Sequence, residues 1–212
     1  MTLSLIIYGL IILALLITEL HQDRRGQFFF KPLADFGFVI LALQFGALES
    51  TYGQFILAGL VACAAGDVFL LARKSQKLFI AGMAAFATGH IIYSFGFINH
   101  GFEYDAAMRG KDNFAMASIL AFLCLAGSVY IIPRVLREMR VPVIIYSIII
   151  TTMCVLAALT NNVAIILATL LFATSDYFVG MDRFINPKKY WAILITPLYF
   201  GAQALFAFSA AV

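Results

Sequence analysis

Residues 53–72 read GQFILAGLVACAAGDVFLLA, an apolar run with one ionisable side chain, Asp67, and no proline. A helix of about 20 residues rises about 30 Å, the thickness of a bilayer's hydrocarbon core. Arg73 and Lys74 follow at once, the charged punctuation expected where a span meets water. The stretch predicts a transmembrane helix that carries a carboxyl group inside it.

Outward from it the same pattern repeats. Runs of similar length fall at roughly 2–19, 32–49, 77–99, 113–132, 142–160, 162–180 and 190–211, which makes eight spans. The second run is the least regular, because Asp35 interrupts its first turn and Glu49 closes it early. The sixth and seventh are separated only by Thr160-Asn161-Asn162. Pro32 and Pro142 sit where helices are expected to begin, Pro133 and Pro187 in loops, and Pro197 inside the last span. The first run has no positive leader and no small-residue cleavage site before Glu19, so it reads as a retained helix.

Composition agrees. Of 212 residues, 63% are hydrophobic and 12% charged, with a mean hydropathy of +0.98. A soluble domain carries about 45–50% apolar and about 25% charged residues. A soluble enzyme, a nucleic-acid binder and a disordered chain are thereby excluded. The expected fold is all-α, a polytopic membrane bundle of eight helices forming one domain over 1–212. Cys63, Cys124 and Cys154 lie in apolar runs without metal-binding spacing and read as packing residues.

Twelve of the fourteen lysines and arginines fall in alternate loops. Arg24, Arg25 and Lys31 precede the second span; Arg73, Lys74 and Lys77 join the third to the fourth. Arg134, Arg137 and Arg140 join the fifth to the sixth; Arg183, Lys188 and Lys189 join the seventh to the eighth. Only Arg109 and Lys111 lie on the other side. The positive-inside rule then places the twelve in the cytoplasm and both termini outside.

Ionisable residues within spans cost about 2.5–3.5 kcal/mol each on insertion scales, so each needs a reason. The deepest are Asp67, His90 and Asp176. Asp67 lies about 9 Å along its helix from Arg73, and Asp176 about 10 Å from Arg183. The two carboxyls share a depth, and their helix faces suit an approach of about 3–6 Å. Gly59, Cys63 and Gly66 give Asp67 a small-residue surround. Asn162, Thr169, Asp176 and Arg183 recur every seven residues. Thr196, Tyr199 and Gln203 share a face of the last span, and Phe86, His90, Tyr93 and Phe97 a face of the fourth. These four faces are expected to line one cavity. The competing reading makes the aspartates structural hydrogen-bond or salt-bridge partners, His90 a buried donor and the aromatic stripe packing. Asp35 and Glu19 read as interfacial residues. His21 and His100 fall on opposite sides of the membrane, which leaves no histidine cluster for zinc. No nucleophile elbow, HExxH motif or phosphate loop is present. Neither a metal nor another cofactor is called for, and carboxylate acid–base chemistry is what the residues offer.

Lys31-Pro32, the stretch Gly66-Asp67-Val68-Phe69-Leu70-Leu71, the segment from Gly82 through His90 to Tyr93, Ser175-Asp176 and Arg183-Phe184 together resemble the YhhN-type lysoplasmalogenase family. The motifs run from the second span to the seventh, so the resemblance covers nearly the whole chain. Cys63-Ala64-Ala65 departs from it where the family often carries a serine, and Asp35 is an acid it does not lead one to expect. The resemblance implies hydrolysis of the vinyl ether bond of lysoplasmalogens, giving a fatty aldehyde and a glycerophospho-headgroup. It implies a lysophospholipid substrate within the bilayer, and a bacterial inner membrane is the expected location. Such a bond cleaves after protonation of its β-carbon, so the enzyme needs an acid and a carboxylate, the division of labour of glycosidases. Asp67 and Asp176 are the expected catalytic pair. Lys31, His90, Tyr93, Arg183, Tyr199 and Gln203 are the expected substrate-binding residues. The alternative is a proton-coupled transporter of a lipid or small metabolite, since buried acids also relay protons.

Overall fold

Three connections in the bundle are tight turns, each placing one residue in left-handed backbone conformation: Gln22 (φ 57°), Gly46 (φ 81°) and Asn161 (φ 55°). Polar caps complete them. Asp23 accepts from the Arg25 N–H, Ser50 from Gly53 N–H and Asn162 from the Ala164 and Ile165 N–H groups. Each cap satisfies donors that the first helical turn cannot pair internally.

The computed structural model describes residues 2–72, 75–100 and 111–211, apart from the side chains of residues 111–114. Arg73, Lys74, Arg109 and the Lys111 side chain, which entered the charge map, lie outside the described residues. Among the described residues, eight helices are long and apolar enough to span a membrane. They are α1 (Thr2–Leu20), α2 (Arg24–Gln44), α3 (Thr51–Leu70), α4 (Gln76–Asn99), α5 (Lys111–Ile131), α6 (Arg137–Leu159), α7 (Val163–Gly180) and α8 (Ala192–Ser209). A π-turn, Met181–Ile185, extends α7, and a 3-10 turn, Lys189–Trp191, leads into α8. The chain is an all-α, multi-pass membrane protein, as its composition implies.

Two helix starts differ most from the sequence reading, and α2 also ends at Gln44 rather than at 49. α2 begins at Arg24, and α6 at Arg137, so Pro32 and Pro142 lie inside helices rather than at their starts. The apolar run begins late in both, but the helix begins earlier because charged first turns are compatible with the interface. For α2, Asp23 supplies the cap. Lys31 is therefore a residue of the bundle, not of a loop.

α3 packs on α4, α7 on α8, α5 on α6 and α1 on α2, and α2 also meets α3 and α8. The α3–α4 contact is a close backbone approach. A Cβ on Gly59 would clash with the Tyr93 ring, and one on Gly89 would stand 2.7 Å from Cys63 Sγ and 3.1 Å from the Gly59 carbonyl. In lipid, where apolar side chains gain nothing by leaving the solvent, such small-residue contacts hold helices together. Aromatic rings fill the centre: Tyr93 stacks on Phe206 at 4.4 Å, and Phe172 lies edge-on to Tyr199 at 5.5 Å. Large apolar side chains such as Leu13, Phe122 and Ile145 face outward, as a surface bathed in lipid requires.

Candidate active site

Asp67 sits in the last turn of α3 and Asp176 in the last turn but one of α7. Both helices end at the face of the bundle where the basic connections cluster. Glu19 at the end of α1, Lys31 in the second turn of α2, and Thr196 and Tyr199 early in α8 stand at that same end. Together they border a cavity of about 590 Å³, within the about 300–1,000 Å³ usual for small-molecule sites. Its remaining wall is largely apolar, with Leu70, Phe86, Leu120, Ile150 and Phe200 among its residues.

The two aspartates thus open into one cavity, with different partners. Asp67, 2% exposed, takes the Lys31 ammonium on Oδ1 at 2.8 Å, and its Oδ2 is buried within reach of Tyr199 and Asp35. Asp176 accepts a hydrogen bond on Oδ2 from the Tyr146 hydroxyl of α6. The two carboxyls lie within each other's electrostatic reach, yet no direct hydrogen bond joins them. Tyr199 also borders the cavity, with its hydroxyl within reach of Asp67. Thr196 donates to the Glu19 carboxylate, which belongs to the cavity wall.

Other expected site residues lie elsewhere. His90 is fully buried among Phe172 at 4.7 Å and Tyr146 at 5.4 Å, behind the cavity wall, with neither ring nitrogen hydrogen-bonded among the described residues. Tyr93 donates to Gln203 Oε1 at 2.9 Å, and this pair ties α4 to α8 in the core, away from the cavity. Arg183 lies on the π-turn with its guanidinium 4.4 Å from the Phe79 ring centroid, and Phe79 is itself a wall residue. The seven-residue stripe on α7 divides in the same way: Asn162 caps the helix and Thr169 bonds back to the Ile165 carbonyl.

Three residues at or beside the site were not assigned to it by the sequence reading. Tyr146 is the one tyrosine in the apolar stretch of α6, and the depth comparison applied to the aspartates would have singled it out. Glu19 is a wall residue, and Asp35 is 3% exposed beside Lys31 and Asp67. Neither is the interfacial residue expected, because the end of α1 and the second and third turns of α2 are covered by α8 and α3.

Chemically, the cavity offers one carboxyl group held against a cation and one held by a neutral phenol, in apolar surroundings. Two acids so differently partnered can divide proton donation from charge stabilisation.

The YhhN family profile matches residues 26–210 of this chain. Bovine (Bos taurus) lysoplasmalogenase TMEM86A is 32% identical over 167 residues, covering 73% of this chain and 64% of the relative. Human (Homo sapiens) lysoplasmalogenase TMEM86B is 29% identical over 162 residues, covering 75% of this chain and 64% of the relative. The matches thus span a little under two thirds of these relatives' length. No solved structure matches the chain. With a profile match running from α2 to the end of α8, the chain belongs to the YhhN family.

Proposed function

We propose that this protein hydrolyses the vinyl ether bond of lysoplasmalogens, releasing a fatty aldehyde and a glycerophospho-headgroup. The observation that carries the proposal is the shared cavity: Asp67 and Asp176 open into one largely apolar space at the basic end of the bundle. The names of the relatives, both lysoplasmalogenases, point to the same reaction.

Asp176, whose partner is a neutral phenol, donates a proton to the β-carbon of the vinyl ether. The resulting oxocarbenium ion is stabilised by the Asp67 carboxylate, which Lys31 keeps ionised. Asp67 then takes a proton from the attacking water, leaving a hemiacetal. As the hemiacetal collapses, Asp67 gives its proton to the departing glycerol oxygen and Asp176 takes one from the hemiacetal hydroxyl, which yields the aldehyde and the glycerol hydroxyl and returns both carboxyls to their starting states. One water is consumed and no covalent enzyme intermediate forms.

The alkenyl chain enters sideways from the bilayer. Leu123 on α5 and Leu170 on α7 border the cavity and are also 54% and 37% exposed on the outer surface. The headgroup lies toward the basic end, near Arg183 above Phe79. Lys31, engaged with Asp67, serves the carboxylate rather than the phosphate. The basic end faces the cytoplasm.

Purified protein in detergent or liposomes, given lysoplasmenyl-ethanolamine, is expected to release aldehyde and to leave an ester lysolipid untouched. Hydrolysis of the ester alone would assign the protein to another class of lipid hydrolase. Uptake into liposomes without aldehyde would favour a transporter.

A further inference from the structure

Lys31 and Asp35 stand four residues apart on α2, so both side chains leave one face of one helix. That face meets α3 at Asp67, whose Oδ1 receives the Lys31 ammonium. The Asp35 carboxyl adjoins both groups. Three oxygens of the two acids, both of Asp35 and Oδ2 of Asp67, are buried without a donor among the described residues. Two neighbouring ionised carboxylates in such surroundings repel one another and forfeit their hydration.

The groups around them leave Asp35 without a donor. Tyr8 of α1 gives its hydroxyl to the Phe200 carbonyl at 2.9 Å. Glu19 of α1 is a third acid, acting on Lys31. Cys63 of α3 also faces Asp67, and Tyr199 of α8 brings a hydroxyl donor within reach of Asp67 but forms no hydrogen bond with Asp35. The cation acting on Asp35 is Lys31, already bound to Asp67. One proton between the two carboxyls completes the arrangement, because a protonated carboxyl is a donor and an ionised one is an acceptor.

We infer that Asp35 stands as a neutral carboxylic acid whose O–H donates to Asp67 Oδ2, so that Lys31 and Asp35 hold the Asp67 carboxylate by its two oxygens and fix its aim into the cavity. Asp35 does not itself border the cavity and is a positioning residue. Its effect on turnover rests on the hydrolase reading above, whereas its protonation does not.

Two variants and one spectrum test this. D35L removes the Asp35 donor from Asp67 Oδ2, and the loosened carboxylate lowers kcat about 100-fold with little change in KM. D35N places an amide donor where the acid was and recovers most of that loss. Infrared difference spectra of wild type against D35N at neutral pH show the loss of a buried, neutral carboxyl C=O band. A difference spectrum showing only ionised carboxylate bands, or a D35N protein as impaired as D35L, would overturn the inference. Absence of vinyl ether turnover in the wild type would count against the hydrolase reading and leave the spectrum to decide the state of Asp35.

Discussion

Lys31 Nζ lies 2.8 Å from Asp67 Oδ1, joining α2 to α3 inside the bundle at its basic end. The Asp67 side chain is 3% exposed and that of Lys31 20%, so the pair is largely shielded from water. Removing one member of a buried pair strands the other, which costs about 3–5 kcal/mol when both are fully buried.

Lys31→Met is accordingly expected to destabilise the protein by on the order of 2–4 kcal/mol, less than the full penalty because Lys31 keeps some exposure. It also removes activity. The double variant Lys31→Met/Asp67→Asn, with no bare charge left, recovers most of the stability but none of the turnover. Thermal unfolding in detergent measures the first effect and aldehyde release the second. Equal melting temperatures for all three proteins would show that the pair contributes nothing.

Tyr146→Phe deletes the hydroxyl that donates to Asp176 and keeps the ring that packs against His90. As Asp176 gives up its proton the phenol stabilises the carboxylate left behind, a bond to a charged group worth about 1.5–3 kcal/mol, so kcat is expected to fall roughly 10–100-fold with KM little changed. Steady-state kinetics with an unaltered melting temperature would confirm this; a pure KM effect would assign Tyr146 to substrate binding.

Gly59→Ala probes the α3–α4 contact. Its methyl would meet a Tyr93 ring that is stacked on Phe206 and tied to Gln203, so the ring has little room to yield. A loss of about 1–3 kcal/mol is expected from such overpacking. Gly201→Ala, where the nearest side-chain atom is 4.0 Å away, serves as the neutral control. Equal melting temperatures for the two variants would refute the close approach.

Reporter fusions test the orientation. Eight spans return the chain to its starting side, and the basic connections at the opposite end are expected in the cytoplasm. Fusions after Arg25, Arg137 or Lys189 should report cytoplasmic positions, and a fusion at the C-terminus an external one. A cytoplasmic C-terminus would contradict the charge argument.

The number and rough extent of the helices were legible in the sequence because apolar run length is a direct image of bilayer thickness. The start of α2 was not. Its first two turns carry Arg24, Arg25 and Lys31, and hydropathy cannot distinguish a charged loop from a charged helix end. The common depth of Asp67 and Asp176 was legible from their distance to flanking arginines. Helical spacing, by contrast, shows only which side chains turn inward. It does not separate Tyr199, which turns toward the cavity, from Gln203 one turn further on, which turns into the core against Tyr93. Tyr146, Glu19 and Asp35 owe their places to which helices become neighbours, information carried by tertiary packing and not by any single run.

The most direct measurement is aldehyde release from lysoplasmenyl-ethanolamine by wild type, Asp67→Asn and Asp176→Asn, with lipid binding followed in parallel. Each amide keeps the shape of the side chain but can neither donate a catalytic proton nor offset a cationic intermediate as a carboxylate does. The expected result is a loss of about 10²–10⁴-fold or more in each variant, with lipid still bound and the fold intact. Wild-type rates in either variant would contradict the division of labour between the two aspartates.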